Sequence, residues 1–106
     1  ARLFACADVL GVSEGIETGI AAHELFHVPV WAGITAIGIE SFVPPAGIRR
    51  LIVFADNDSN FQGQKSAYAL AHRLSVASDR TIEKIEVEVP PGADTDWLDV
   101  LLEDCA

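Results

Sequence analysis

Three acidic turns hold the residues of this sequence best suited to chemistry. The apolar run Val9–Ser13 ends in Glu14-Gly15, and the run Arg50–Ala55 ends in Asp56-Asn57-Asp58-Ser59-Asn60. A further pair, Asp94 and Asp96, follows Pro90-Pro91-Gly92. Carboxylates gathered without Lys or Arg between them repel one another and are costly to desolvate, so a cation is the ordinary means of holding them together. Glu14, Asp56, Asp58, Asp94 and Asp96 form an all-oxygen donor set with no His or Cys beside them. That set selects a hard ion, Mg²⁺ or Mn²⁺, over Zn²⁺. Such ions keep part of their water shell and take few protein carboxylates, leaving positions for phosphate oxygens. The chemistry implied is phosphoryl or nucleotidyl transfer.

These turns need elements to position them, and the apolar spacing supplies a regular alternation. After the strand Val9–Ser13, Ile16, Ile20, Ala21 and Leu25 recur at helical spacing until Val28-Pro29. Val30–Ile34 predicts a second strand, followed by a short helix before Pro44-Pro45. Arg50–Ala55 is apolar on both alternating faces after its Arg, the pattern of a central strand covered on both sides. Ala67, Leu70, Ala71 and Leu74 then mark a long amphipathic helix. Ile85, Val87 and Val89 alternate with Lys84, Glu86 and Glu88, as in a half-exposed edge strand. Trp97, Leu98, Leu101 and Leu102 suggest a last helix, with Asp94, Thr95 or Asp96 available as its cap. The alternation predicts one α/β domain over residues 1–106, an open, mostly parallel four-stranded sheet with helices on both faces. In such sheets ligands bind beyond the strand carboxyl ends, where strand order reverses. If the order is second-first-third-fourth, Glu14 and the Asp56/Asp58 pair share one crevice.

Composition narrows the function further. Seven basic and 16 acidic residues give a net charge of −9, which argues against a free-standing nucleic-acid binder relying on counterion release. The two cysteines, Cys6 and Cys105, lie near opposite ends with no CxxC, so neither a zinc knuckle nor a disulfide framework is expected, and a reducing cytoplasm fits. No apolar run reaches the roughly 18 residues of a membrane span, and no membrane partner is expected. A start at Ala1 and a stop at Ala106 suggest a piece of a longer protein whose neighbouring domains carry part of the function. His23-Glu24-Leu25-Phe26-His27 matches the HExxH zinc pattern, but the helix is expected to end at His27 and no third ligand follows. The Asp56–Asn60 loop imitates a calcium loop only at its start, since Phe61 stands where Gly is required. Trp31 and Trp97 lie in apolar runs and are expected in the core, Lys65 in solvent, and Arg49 and Arg50 at the opposite sheet end facing solvent or a neighbouring domain.

Four runs together resemble a known family. Val12-Ser13-Glu14-Gly15-Ile16-Glu17-Thr18, Trp31-Ala32-Gly33, Phe54-Ala55-Asp56-Asn57-Asp58 with Gly63-Gln64-Lys65, and Pro91-Gly92-Ala93-Asp94-Thr95-Asp96 look like a Toprim domain over nearly the whole chain. The EGIET-type turn is most similar to phage and plasmid primases and primase-helicases. The resemblance implies a Rossmann-like Toprim fold and a Mg²⁺-dependent nucleotidyltransferase site. In it Glu14 acts as general acid or base, Asp56 and Asp58 bind metal, and Asp94 with Asp96 matches later acidic positions that can complete a second metal site. Many bacterial primases place an acid four residues after the motif Glu, where this chain has Thr18, its acid being Glu17. The expected function is RNA-primer synthesis on a single-stranded DNA template from nucleoside triphosphates, within a full-length protein that adds primase or helicase domains. The alternatives are a Toprim nuclease or topoisomerase that cleaves phosphodiesters, and a noncatalytic interaction module.

Overall fold

The computed structural model describes residues 8–45, 47–77, 82–92 and 94–104, so Cys6 and Cys105 lie outside the described residues. Four strands alternate with four helices: β1 (Val9–Ser13), α1 (Ile16–Phe26), β2 (Val30–Ala32), α2 (Ala36–Glu40), β3 (Arg50–Phe54), α3 (Gln62–Ser75), β4 (Lys84–Glu88) and α4 (Trp97–Asp104). The sheet order is β2-β1-β3-β4 and every pairing is parallel. β1 and β3 are therefore neighbours, in a register that sets Ser13 beside Phe54. Their acidic turns leave the sheet side by side at its carboxyl edge.

The sheet is covered on both faces. One core joins Leu10, Val12, Leu51 and Val53 to Ile39 of α2 and to Ala67, Leu70 and Leu74 of α3. The other joins Ile52 and Phe54 to Ala21 and Ala22 of α1 and to Trp97 of α4. Leu51 to Phe54 are all buried, which explains why β3 shows no apolar-polar alternation. Gly11 is required by this packing: a Cβ there would stand 2.7 Å from the Phe54 ring and 3.0 Å from Val30. Trp97 is buried, its ring edge-on to Phe26 and Phe54, while the half-buried Trp31 meets Phe42.

Element ends differ from the sequence pattern where backbone bonds override it. β2 stops at Ala32 rather than Ile34: Gly33 N–H makes the last ladder bond to the Ser13 carbonyl, and Ile34 N–H then turns to the Glu14 carbonyl across the end of β1. Ile34 there holds a positive φ of 76°, unusual for a β-branched residue. α3 begins at Gln62, before its apolar stripe. Its first amides are satisfied by Asn60 Oδ1 on Gln62 N–H and Asp58 Oδ2 on Gly63 N–H. α1 ends as expected at His27, a left-handed cap whose N–H donates to the His23 carbonyl. The His23 ring Nδ1 lies 2.8 Å from the Val28 carbonyl, so the HExxH pattern serves the helix end. At the amino edge Arg50 is exposed but not free. It binds Glu86, which Lys84 also reaches, and the Lys84 and Arg50 hydrogen bonds lower the Glu86 pKa. Among the described residues no helix is long and apolar enough to cross a membrane.

Candidate metal centre at the carboxyl edge of the sheet

Glu14 follows β1 directly, in a turn tightened by the Ser13 hydroxyl donating to the Gly15 carbonyl at 2.9 Å. It is half-buried and lines a small cleft with Asp56, Gly63 and Ser66. Parallel pairing of β1 with β3 thus brings Glu14 and Asp56, 42 positions apart in the chain, to one cleft.

Asp56 is the electrostatic centre of this edge. Its carboxyl pKa is raised from 3.8 to about 6, first by burial, then by the neighbouring charges of Asp96 and Asp58. The Trp97 amide and the Thr18 hydroxyl pull the other way, Thr18 Oγ1 donating to Asp56 Oδ1 at 3.4 Å. Thr18 is buried on the first turn of α1. It therefore supplies a neutral donor where an acid would add a fourth negative charge to the Asp56 surroundings.

The other acids are held by backbone amides. Asp58 Oδ2 accepts from Gly63 N–H at 3.1 Å, a carboxylate at the positive end of α3. Gly63 is needed there, since a Cβ would lie 2.9 Å from that same oxygen. Asp94, with φ 56°, accepts from Ser59 N–H at 3.0 Å. Asp96 Oδ1 accepts from Asp99 N–H at 2.8 Å while Asp99 Oδ2 accepts from Asp96 N–H at 3.1 Å. This reciprocal pair is a capping box that starts α4, so of the three expected caps Asp96 is used.

Sequence reasoning missed the residue that ties two of these turns together. Asn57 N–H donates to the Thr95 carbonyl at 2.8 Å, and Asp94 N–H donates to the Asn57 carbonyl at 2.6 Å. The Asn57 side chain donates to the Pro90 carbonyl at 2.9 Å and accepts from Gln64 at 3.2 Å. The latch brings the loop after β4 against the loop after β3, which is how Asp96 comes to act on Asp56. Its only sequence signal is an Asn flanked by two Asp, which reads equally well as a turn.

The edge thus gathers Glu14, Asp56, Asp58, Asp94 and Asp96 from three loops without a Lys or Arg in those loops. Among the described residues no three His, Cys, Asp or Glu side chains are grouped closely enough to hold a metal ion by themselves. The donor set still suits Mg²⁺, which takes one or two carboxylates and completes its shell with water and phosphate oxygens. The raised pKa of Asp56 comes first from burial and then from the charges of Asp96 and Asp58, and a cation at this edge would offset both.

No curated protein and no solved structure matches the chain. The family model for the Toprim domain, a metal-binding domain shared by primases, topoisomerases and nucleases, matches residues 9–106, and the chain belongs to that family.

Proposed function

We propose that this domain is the catalytic Toprim domain of a DNA primase, joining nucleotides into an RNA primer on single-stranded DNA. The observation that supports the reading most directly is that Glu14 and Asp56 line one cleft at the ends of two adjacent parallel strands, with Asp58 in the same loop as Asp56. In this proposal Asp56 and Asp58 hold Mg²⁺, and Asp94 with Asp96 serves a second ion. Bound there, Mg²⁺ neutralises phosphate charge and polarises the phosphoryl oxygens. Glu14 takes or returns the proton of the 3′ oxygen. Thr18 keeps the Asp56 carboxylate oriented through its hydroxyl. The EGIET turn, Glu14 to Thr18, favours a phage- or plasmid-type primase within the family. Neighbouring primase or helicase domains of a cytoplasmic full-length protein would add template-binding surface, and nucleoside triphosphates are the substrates.

The test is Mn²⁺ titration by water-proton relaxation on the unaltered chain, Glu14→Gln, and Asp56→Asn/Asp58→Asn. Loss of binding in the variants with unchanged circular dichroism is expected; undiminished binding in the double variant overturns the metal assignment. In the full-length protein, Asp56→Asn is expected to abolish primer synthesis. Cleavage of labelled DNA without nucleoside triphosphates would assign the site to the nuclease or topoisomerase branch instead.

A further inference from the structure

The chain carries a net charge of −9, yet α3 has no Asp or Glu and holds Lys65, His72 and Arg73. Its buried side is Ser66, Ala67, Leu70 and Leu74. At about 3.6 residues per turn, Lys65, Tyr68 and His72 fall together on the opposite side, and all three are exposed. Phe61 stands at the head of this stripe, 67% exposed, and Tyr68 is 57% exposed. Phe61 also holds a left-handed backbone, φ 61°, a state that bulky side chains seldom adopt. Two aromatic rings interleaved with basic residues thus face solvent, beginning beside the loop of Asp56 and Asp58.

Apart from Asp58 and Asp94 at its amino end, the acids of the regular elements lie mostly away from α3. α1 carries Glu17 and Glu24 and α4 carries Asp99 and Glu103, all on the other face of the sheet. On β4, Ile85 and Val87 pack toward the α3 side, which sends Glu86 and Glu88 to the opposite face. α3 shares its face with α2, whose one acid is Glu40. Arg73 meets the backbone carbonyls of Glu40 and Phe42 there, not a carboxylate. Among the helices, α3 is the one that carries Lys and Arg and no acid, so its exposed face is the helix surface most complementary to a polyanion.

We propose that the exposed face of α3, with Phe61, Lys65, Tyr68 and His72, is a track for single-stranded DNA leading to the carboxylate edge. Phe61 and Tyr68 stack on bases, and Lys65 and His72 meet the backbone. The two aromatic positions are about 10 Å apart along the helix, so they meet separate bases of one strand. Stacking of this kind tolerates any sequence, because every base presents a π face. The inference rests on the primase reading for its choice of a single strand as partner, and on α3 for where that strand lies.

The test is fluorescence anisotropy of labelled oligothymidylate with the chain across a salt series. Phe61→Gly and Tyr68→Ala are each expected to weaken binding about tenfold. Gly adopts positive φ freely, so Phe61→Gly removes the ring without a folding penalty. Lys65→Ala is expected to reduce the slope of log K against log salt by about 0.7, the loss of one phosphate contact. Lys84→Ala, on β4 beside Glu86, is expected to change nothing. Unchanged affinity in Phe61→Gly and Tyr68→Ala overturns the proposal, as does absence of binding by the unaltered chain at low salt. Equal affinity for a duplex of the same length also overturns it, since a duplex hides its base faces. Mn²⁺ relaxation decides the metal site independently: loss of oligonucleotide binding in the α3 variants with no Mn²⁺ binding keeps the track and removes the primase reading, and the converse removes the track alone.

Discussion

Asp56 makes the metal-free domain less stable as pH rises, and the size of the effect follows from its surroundings. Its carboxyl moves from 3.8 to about 6 on folding, because burial and the charges of Asp96 and Asp58 disfavour the ionised form. Below the unfolded value the group is protonated in both states and costs nothing. Between about 4 and 6 the folded state binds more protons than the unfolded state, so stability falls with pH, and above the folded value the loss is complete. At about 1.36 kcal/mol per pH unit, the ceiling is about 3 kcal/mol. Asp56 is only partly buried, and solvent screening reduces this to about 1–2 kcal/mol. Asp56→Asn removes the charge, so in chelator at pH 7.5 it is expected to be more stable than the unaltered chain by that amount, about 5–10 °C in Tm. Urea titrations followed by tryptophan fluorescence at steps from pH 4 to 7.5 measure the difference. It should grow with pH and flatten above about 6.5, and Mg²⁺ should reverse it by stabilising only the unaltered chain. A variant that is less stable at pH 7.5, or a difference that does not change with pH, would refute the electrostatic reasoning.

Two glycines give further tests. Gly63→Ala places a Cβ 2.9 Å from Asp58 Oδ2, so Mn²⁺ affinity measured by relaxation is expected to fall, while helix propensity gains about 1 kcal/mol and limits any loss of Tm. Gly11→Ala drives a Cβ into the Phe54 ring and is expected to cost about 1–3 kcal/mol in urea unfolding with the Mn²⁺ site retained.

The alternation of strands and helices was legible in the sequence because each element buries a local pattern: the two-faced run of β3, the stripe of α3, and the alternation of β4 are properties of neighbouring residues. So was the placing of acids at strand ends, since a strand's last residue and the turn after it are adjacent in the chain. The strand order could be stated only as a condition, because periodicity says which residues are buried but not against what. The neighbourhood of β1 and β3, and with it the meeting of Glu14 and Asp56, comes from tertiary packing. The same holds for the Thr18 hydroxyl on Asp56, the Asn57 latch that carries Asp96 to the site, and the Glu86 partner of Arg50. Residue type gave each carboxyl its intrinsic acidity, whereas the raised pKa of Asp56 depends on burial and on charges brought close from other loops. Electrostatic energy depends on distance through space and on the dielectric around it, and neither is written in the order of residues along the chain.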